Sequence, residues 1–146
     1  MEKKKNHAAL YFDAKSVNEG FARMAVMAFM TDMNPTLEQL EDVKTAVSEA
    51  VTNAVIHGYQ DEEKQVELLL DREGTKLCIQ VIDHGVGIEN VEEAIQPFFT
   101  TKPELERSGM GFAFMDAFMD QLSVYSIPGE GTKVTMIKYI ERENEQ

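Results

Sequence analysis

The stretch from Thr36 to Gly58 constrains this chain more than any other. Ala46, Val47, Ala50, Val51, Ala54 and Val55 recur at helical spacing, which predicts one long helix whose apolar stripe needs a surface to lie on. Thr36 and Gln39 form a capping-box pattern just after the break at Asn34-Pro35, and Gly58 is a natural C-cap. Glu49, Asn53 and His57 fall at i, i+4 and i+8 along one side of this helix. A carboxylate one turn from a carboxamide offers two hard oxygens to a cation or a water, the donor type that Mg²⁺ takes. Taken alone, the plainer reading is a polar helix face.

The rest of the chain supplies the surface. Leu10-Tyr11-Phe12, within Ala8 to Ala14, reads as a short strand. Ser16-Val17-Asn18-Glu19 repeats the capping-box pattern and predicts a helix from about Val17 to Thr31, with Phe21, Met24, Ala25, Ala28 and Phe29 on one face. Met24, Met27, Met30 and Met33 suit core packing or a packed partner surface better than a cofactor box. Arg23 stands among them, as a snorkelling surface side chain or, on the sharper reading, a partner contact; the sequence favours the former. Val66 to Leu70 and Lys76 to Asp83 form a hairpin around Asp71-Arg72-Glu73-Gly74, and the second strand alternates with Leu77, Ile79 and Val81 on one side. A short helix spans Asn90 to Ile95, a loop runs from Phe98 to Gly111, and a helix follows from about Phe112 to Leu122. Ser123 to Ile127 and Thr132 to Ile140 close the chain as strands around Pro128-Gly129-Glu130-Gly131. This order predicts an α/β (α+β) two-layer sandwich, with a mixed, mainly antiparallel sheet covered by helices on one face. Residues 1–146 form a single domain with frayed ends at about 1–7 and 141–146.

Composition limits the partners. With 26 acidic against 14 basic residues the net charge is −12, which argues against nucleic acid and suits a basic protein partner. Hydrophobic content of 43% and charged content of 27% are those of a soluble globular protein. The single cysteine, Cys78, lies in an apolar run as a small buried hydrophobe and agrees with a reducing compartment. No secretory signal and no membrane-length run is present, so a cytoplasmic location and no membrane contact are expected.

Three glycine clusters follow the long helix. Asp83-x-Gly85-x-Gly87 ends a strand: its glycines permit close backbone approach, and the carboxylate can accept a hydrogen bond from an exocyclic amine. Ser108-Gly109-Met110-Gly111 opens a helix, where free N–H groups can cradle phosphate, although a flexible helix cap would look the same. Gly129-Glu130-Gly131-Thr132 by itself reads as a hairpin turn. There is no P-loop spacing, no dinucleotide fingerprint and no His/Cys cluster for zinc.

The order of the four elements carries more than each alone. Glu49-x-x-x-Asn53, then Asp83-x-Gly85-x-Gly87, then Gly109-x-Gly111, then Gly129-x-Gly131-Thr132 resembles the N, G1, G2 and G3 boxes of the Bergerat-fold (GHKL) ATPases, over about Glu49 to Thr132. Ser48 to Tyr59 and Phe99 to Phe112 look more narrowly like the sporulation anti-sigma factors, protein serine kinases of that superfamily. The resemblance implies ATP/ADP and Mg²⁺ as ligands. It makes Asn53 the Mg²⁺ ligand and Glu49 the base that orients or deprotonates the attacking hydroxyl. Asp83 would accept the adenine amino group, with Gly87 giving close approach, Gly85 counted with it as nucleotide-binding, and Thr132 supporting the same pocket. Thr100, Thr101, Lys102, Ser108, Gly109, Met110 and Gly111 would line the phosphates, and Lys102 or Arg107 would neutralise charge on the transferred group. His57 has the weaker claim, as a helix-end residue. The implied partners are a sporulation sigma factor, an anti-anti-sigma factor phosphorylated on serine, and a second copy in a homodimer. The alternative is a stoichiometric sigma-binding module for which nucleotide is a structural ligand. A histidine-kinase ATPase module is disfavoured, because no helical hairpin with a phosphoacceptor histidine precedes the domain.

Overall fold

The structure, a computed structural model, describes residues 3–58, 64–96 and 111–140, and of positions 57 and 58 the backbone alone. Strands β1 (Lys5–Asp13), β2 (Gln65–Glu73), β3 (Lys76–Asp83), β4 (Gln121–Ile127) and β5 (Gly131–Tyr139) form one sheet in the order β1-β2-β3-β5-β4. Every pairing among the described residues is antiparallel, so the parallel component allowed for in a mixed sheet does not occur there. Helices α1 (Asn18–Phe29), α2 (Leu37–Thr52), α3 (Val91–Ala94) and α4 (Gly111–Phe118) are the α-helices among the described residues, and α2 packs against both α1 and α4. The two-layer α+β sandwich with helices on one face is therefore the architecture found.

Alternation explains which face is covered. Phe12 on β1, Val66, Leu68 and Leu70 on β2, Leu77, Ile79 and Val81 on β3, and Val134 and Met136 on β5 are all buried. Val43, Ala46, Val47, Ala50, Val51 and Ala54 of the long helix are buried with them in the same core. The neighbouring strand positions Glu67, Leu69, Cys78, Gln80 and Thr135 stay half-exposed. Cys78 is thus on the outer face and not in the core as expected. Partial burial, and then Asp71, push its thiol pKa up.

Several boundaries and faces differ from expectation. The Thr36 box forms in full: the Thr36 hydroxyl accepts from the Gln39 N–H at 3.1 Å, and the Gln39 side chain accepts from the Thr36 N–H at 2.9 Å. The Ser16–Glu19 box does not form. Val17 stands at the N-cap with no side-chain cap, the Glu19 N–H bonds the Ser16 carbonyl, and Asn18 donates instead to the Asp13 carbonyl at 2.8 Å. The buried side of α1 is Ala22, Val26 and Met30, whereas Phe21 and Met24, placed inward by the sequence reading, are 52% and 70% exposed. This helix is apolar on both sides, so periodicity cannot choose between them. Arg23 is half-buried and donates to the Ser48 hydroxyl at 3.1 Å, tying α1 to α2. The hairpin is tighter than expected, since β2 runs on to Glu73 and Gly74 makes the turn at φ 61°. Helix α4 stops at Phe118, short of Leu122, because β5 takes over its end: Lys138 Nζ donates to the Phe118 carbonyl at 2.6 Å and Asp120 accepts from the Tyr139 N–H at 2.7 Å.

The two capping patterns give a direct comparison. Thr36→Ala is expected to lower unfolding free energy by about 1 kcal/mol, while Ser16→Ala costs no more than a few tenths. Paired urea titrations check this, and equal losses would contradict the difference in caps.

Candidate active site

Three inward rows of the sheet end in polar residues at the same edge. On β3 the row Leu77, Ile79, Val81 ends in Asp83; on β5 Met136 and Val134 lead to Thr132; on β4 Leu122 and Val124 lead to Ser126. Register sets Asp83 opposite Thr132, and Thr132 opposite Ser126. Opposed residues bring their Cβ atoms to about 4.5–5.5 Å, so the three side chains form one lateral row.

Asp83 is 3% exposed and Thr132 is 4% exposed. Burial pushes the Asp83 carboxyl pKa above its ordinary value of 3.8, and the N–H groups of Gly85 and Thr132, with His84, pull the other way. The Gly85 N–H donates to Asp83 Oδ1 at 2.9 Å. A buried carboxylate held by backbone donors keeps acceptor capacity for a ligand N–H.

The loop after β3 is seated on the turn between β4 and β5. Gly87 has φ 77°, and a Cβ there would lie 2.4 Å from the Ile127 carbonyl oxygen. Gly131 has φ 125°, and a Cβ there would lie 2.1 Å from the Asp83 carbonyl oxygen. The Gly129 N–H bonds the Val86 carbonyl at 2.7 Å. The close approach that Gly87 permits is therefore to the protein's own turn.

Glu49 and Asn53 are half-buried on the long helix, which changes hydrogen bonding at Asn53: residues Asn53–Gly58 form a π-helical segment. The wider turn interrupts regular α-helical spacing past Asn53, and the His57 side chain lies outside the described residues. Among the described residues no group of three or more His, Cys, Asp or Glu could hold a metal. The Asn53 carboxamide carries one hard oxygen of the type Mg²⁺ takes, so it would supply a single protein ligand to such an ion. Gly111 begins α4, whose first turn carries no acidic residue. Thr100, Thr101, Lys102, Arg107, Ser108, Gly109 and Met110 lie outside the described residues.

Ser126 escaped the sequence reading. Its signal was present, as a hydroxyl at an inward position where period-2 alternation calls for an apolar residue. An open cavity of about 530 Å³, lined in part by His7, Asp71 and Cys78, lies by the start of β3, away from Asp83 at its end. No helix among the described residues is long and apolar enough to cross a membrane.

A half-covered antiparallel sheet with a buried aspartate before a glycine loop, a glycine-threonine hairpin beside it and a Glu-x-x-x-Asn helix is the layout of a histidine kinase-like ATPase domain. Residues 12–138 match the model of that family, and the chain belongs to it. Relatives narrow the placing to the anti-sigma F factors. One from Clostridium perfringens is 57% identical over 134 residues, covering 91% of this chain and 96% of the relative. Another, from Anoxybacillus flavithermus, is 53% identical over 137 residues, covering 93% and 94%. Among solved structures, the RsbU and RsbW domains of a Mycobacterium tuberculosis protein share the fold with a TM-score of 0.67 at 19% identity, over 92% of this chain and 33% of that one. The histidine kinase domain of a blue-light activated kinase from Erythrobacter litoralis gives 0.54 at 20% identity, over 86% and 60%.

The raised Asp83 pKa has a stability consequence with a definite sign. The folded state holds this proton more tightly than the unfolded state, so the group's contribution is full below 3.8 and declines as pH rises through the folded value. Asp83→Asn removes the titration. Its stability relative to the parent is expected to improve across that span, as read from urea midpoints at a series of pH values; a constant difference would refute this.

Proposed function

We propose that this chain is a Mg-ATP-dependent protein serine kinase that binds and inhibits a sporulation sigma factor and phosphorylates a serine of an anti-anti-sigma factor. The observation that carries the reading is the lateral row of Asp83, Thr132 and Ser126 beside a Glu49/Asn53 helix, in a chain 57% identical to an anti-sigma F factor. Asp83 receives the adenine amino group, with Thr132 beside it. Gly85 and Gly87 hold the loop that carries Asp83.

Asn53 is the ligand for Mg²⁺, which when bound offsets phosphate charge. Glu49 takes the proton of the attacking serine hydroxyl or aligns it. The N-terminal amides of α4 at Gly111, with Ser108, Gly109 and Met110, hold phosphate oxygens. Thr100, Thr101 and Lys102 belong to the same phosphate side, and Arg107 or Lys102 supplies the cation that meets developing charge. The acidic surface, net −12, steers basic partner surfaces toward it. A homodimer and a cytoplasmic location go with this reading.

Glu49→Gln separates a kinase from a stoichiometric binder. It is expected to keep ATP binding and to lower serine phosphorylation of the anti-anti-sigma factor by about 10²–10⁴-fold. Asn53→Ala should abolish Mg²⁺-dependent transfer. Radiolabel transfer and nucleotide titration with purified proteins give both readouts. Undiminished transfer in either variant would remove that residue from the site, and sigma inhibition with no transfer in the unaltered protein would favour the binder.

A further inference from the structure

Ser126 makes three hydrogen bonds through one hydroxyl. Its Oγ accepts from the Ile88 N–H at 2.7 Å, donates to the Gly131 carbonyl at 2.9 Å, and meets Thr132 Oγ1 at 2.9 Å. Counting protons fixes the last of these. A serine hydroxyl has one proton and two lone pairs. The proton goes to Gly131, whose carbonyl can only accept, and one lone pair is taken by Ile88. Thr132 must then donate its own proton to the remaining lone pair of Ser126.

We infer that Ser126 is a positioning residue for base specificity: it consumes the Thr132 proton, so that Thr132 and Asp83 together present acceptors only to the purine. This rests on the nucleotide-site reading above and adds what Thr132 does within it. An edge made of a carboxylate and a hydroxyl oxygen whose proton is already given to Ser126 matches the 6-amino group of a purine, which brings two N–H donors. At position 6 it opposes an oxo group, whose O6 would face lone pairs with no donor between them. Discrimination therefore depends on a side chain one strand further from Asp83 than Thr132.

The test is the ratio of affinities for IDP and ADP, measured by calorimetry on the full chain. Merely loosening the loop would weaken both nucleotides alike and leave this ratio unmoved. The unaltered protein is expected to favour ADP. Ser126→Ala frees the Thr132 proton to turn toward O6, and should narrow the preference by about three- to tenfold, the worth of one hydrogen bond. Ser126→Thr keeps the hydroxyl and should restore the original ratio. If the alanine variant melts early, Ser126→Cys serves in its place, since a thiol is a weak hydrogen-bond partner, and the same narrowing is expected. An unchanged ratio in a folded Ser126→Ala or Ser126→Cys protein that still binds ADP would overturn the role of Ser126 alone. Failure of the unaltered protein to bind ADP would overturn the nucleotide site itself.

Discussion

The site depends on a contact between two pieces of backbone. The loop after β3 and the turn between β4 and β5 approach so closely that neither Gly87 nor Gly131 has room for a Cβ, and both occupy positive φ. Ordinary side chains at these positions would meet backbone, which cannot swing away as a rotamer can. The three polar ends of the inward rows are consequently held side by side. Asp83, Thr132 and Ser126 gain their geometry from two absences as much as from their own hydrogen bonds. Gly129 shows the contrast: it too has positive φ, but nothing lies within 4 Å of its missing Cβ.

The sheet supplies the direction in which the site can open. With helices on one face, an inward row is apolar wherever a helix covers it, and only a row end can carry polar groups without disturbing the core. Asp83, Thr132 and Ser126 occupy such ends on three neighbouring strands. The long helix brings Glu49 and Asn53 half out of the core and then widens into a π segment at Asn53. Such segments re-aim the residues that follow, and this one begins at the residue on which Mg²⁺ binding is proposed to depend.

Much of this was legible in the sequence for physical reasons. Strong alternation in β3 and a regular stripe in α2 identified their buried faces, because one period fitted and the other did not. The α1 face was not legible, since Phe21/Met24/Ala25/Ala28/Phe29 and Ala22/Val26/Met30 both satisfy helical spacing. The Ser16 cap failed because a capping box is a local pattern, and the Asn18 contact to Asp13 won locally. The end of α4 was set by Lys138 and Asp120 bonding across to distant chain, which no window of neighbouring residues contains. At the site, spacing exposed Asp83 and the glycines, and family order gave them meaning. Ser126 was hidden because a single serine in a strand looks like a solvent-facing residue until register sets it opposite Thr132.

Burying Asp83 costs stability, and the nature of that cost suits recognition. A carboxylate at 3% exposure loses most of its hydration, and two backbone N–H groups with a nearby histidine return only part of it. A hydroxyl neighbour with a free proton would be the cheapest further compensation, since Thr132 stands directly opposite. The Ser126 contacts withhold that proton. The Asp83 and Thr132 oxygens, already engaged in hydrogen bonds within the protein, keep further lone pairs that a ligand N–H would meet. Stability is given up where the proposed ligand would be received, a trade that functional sites commonly make.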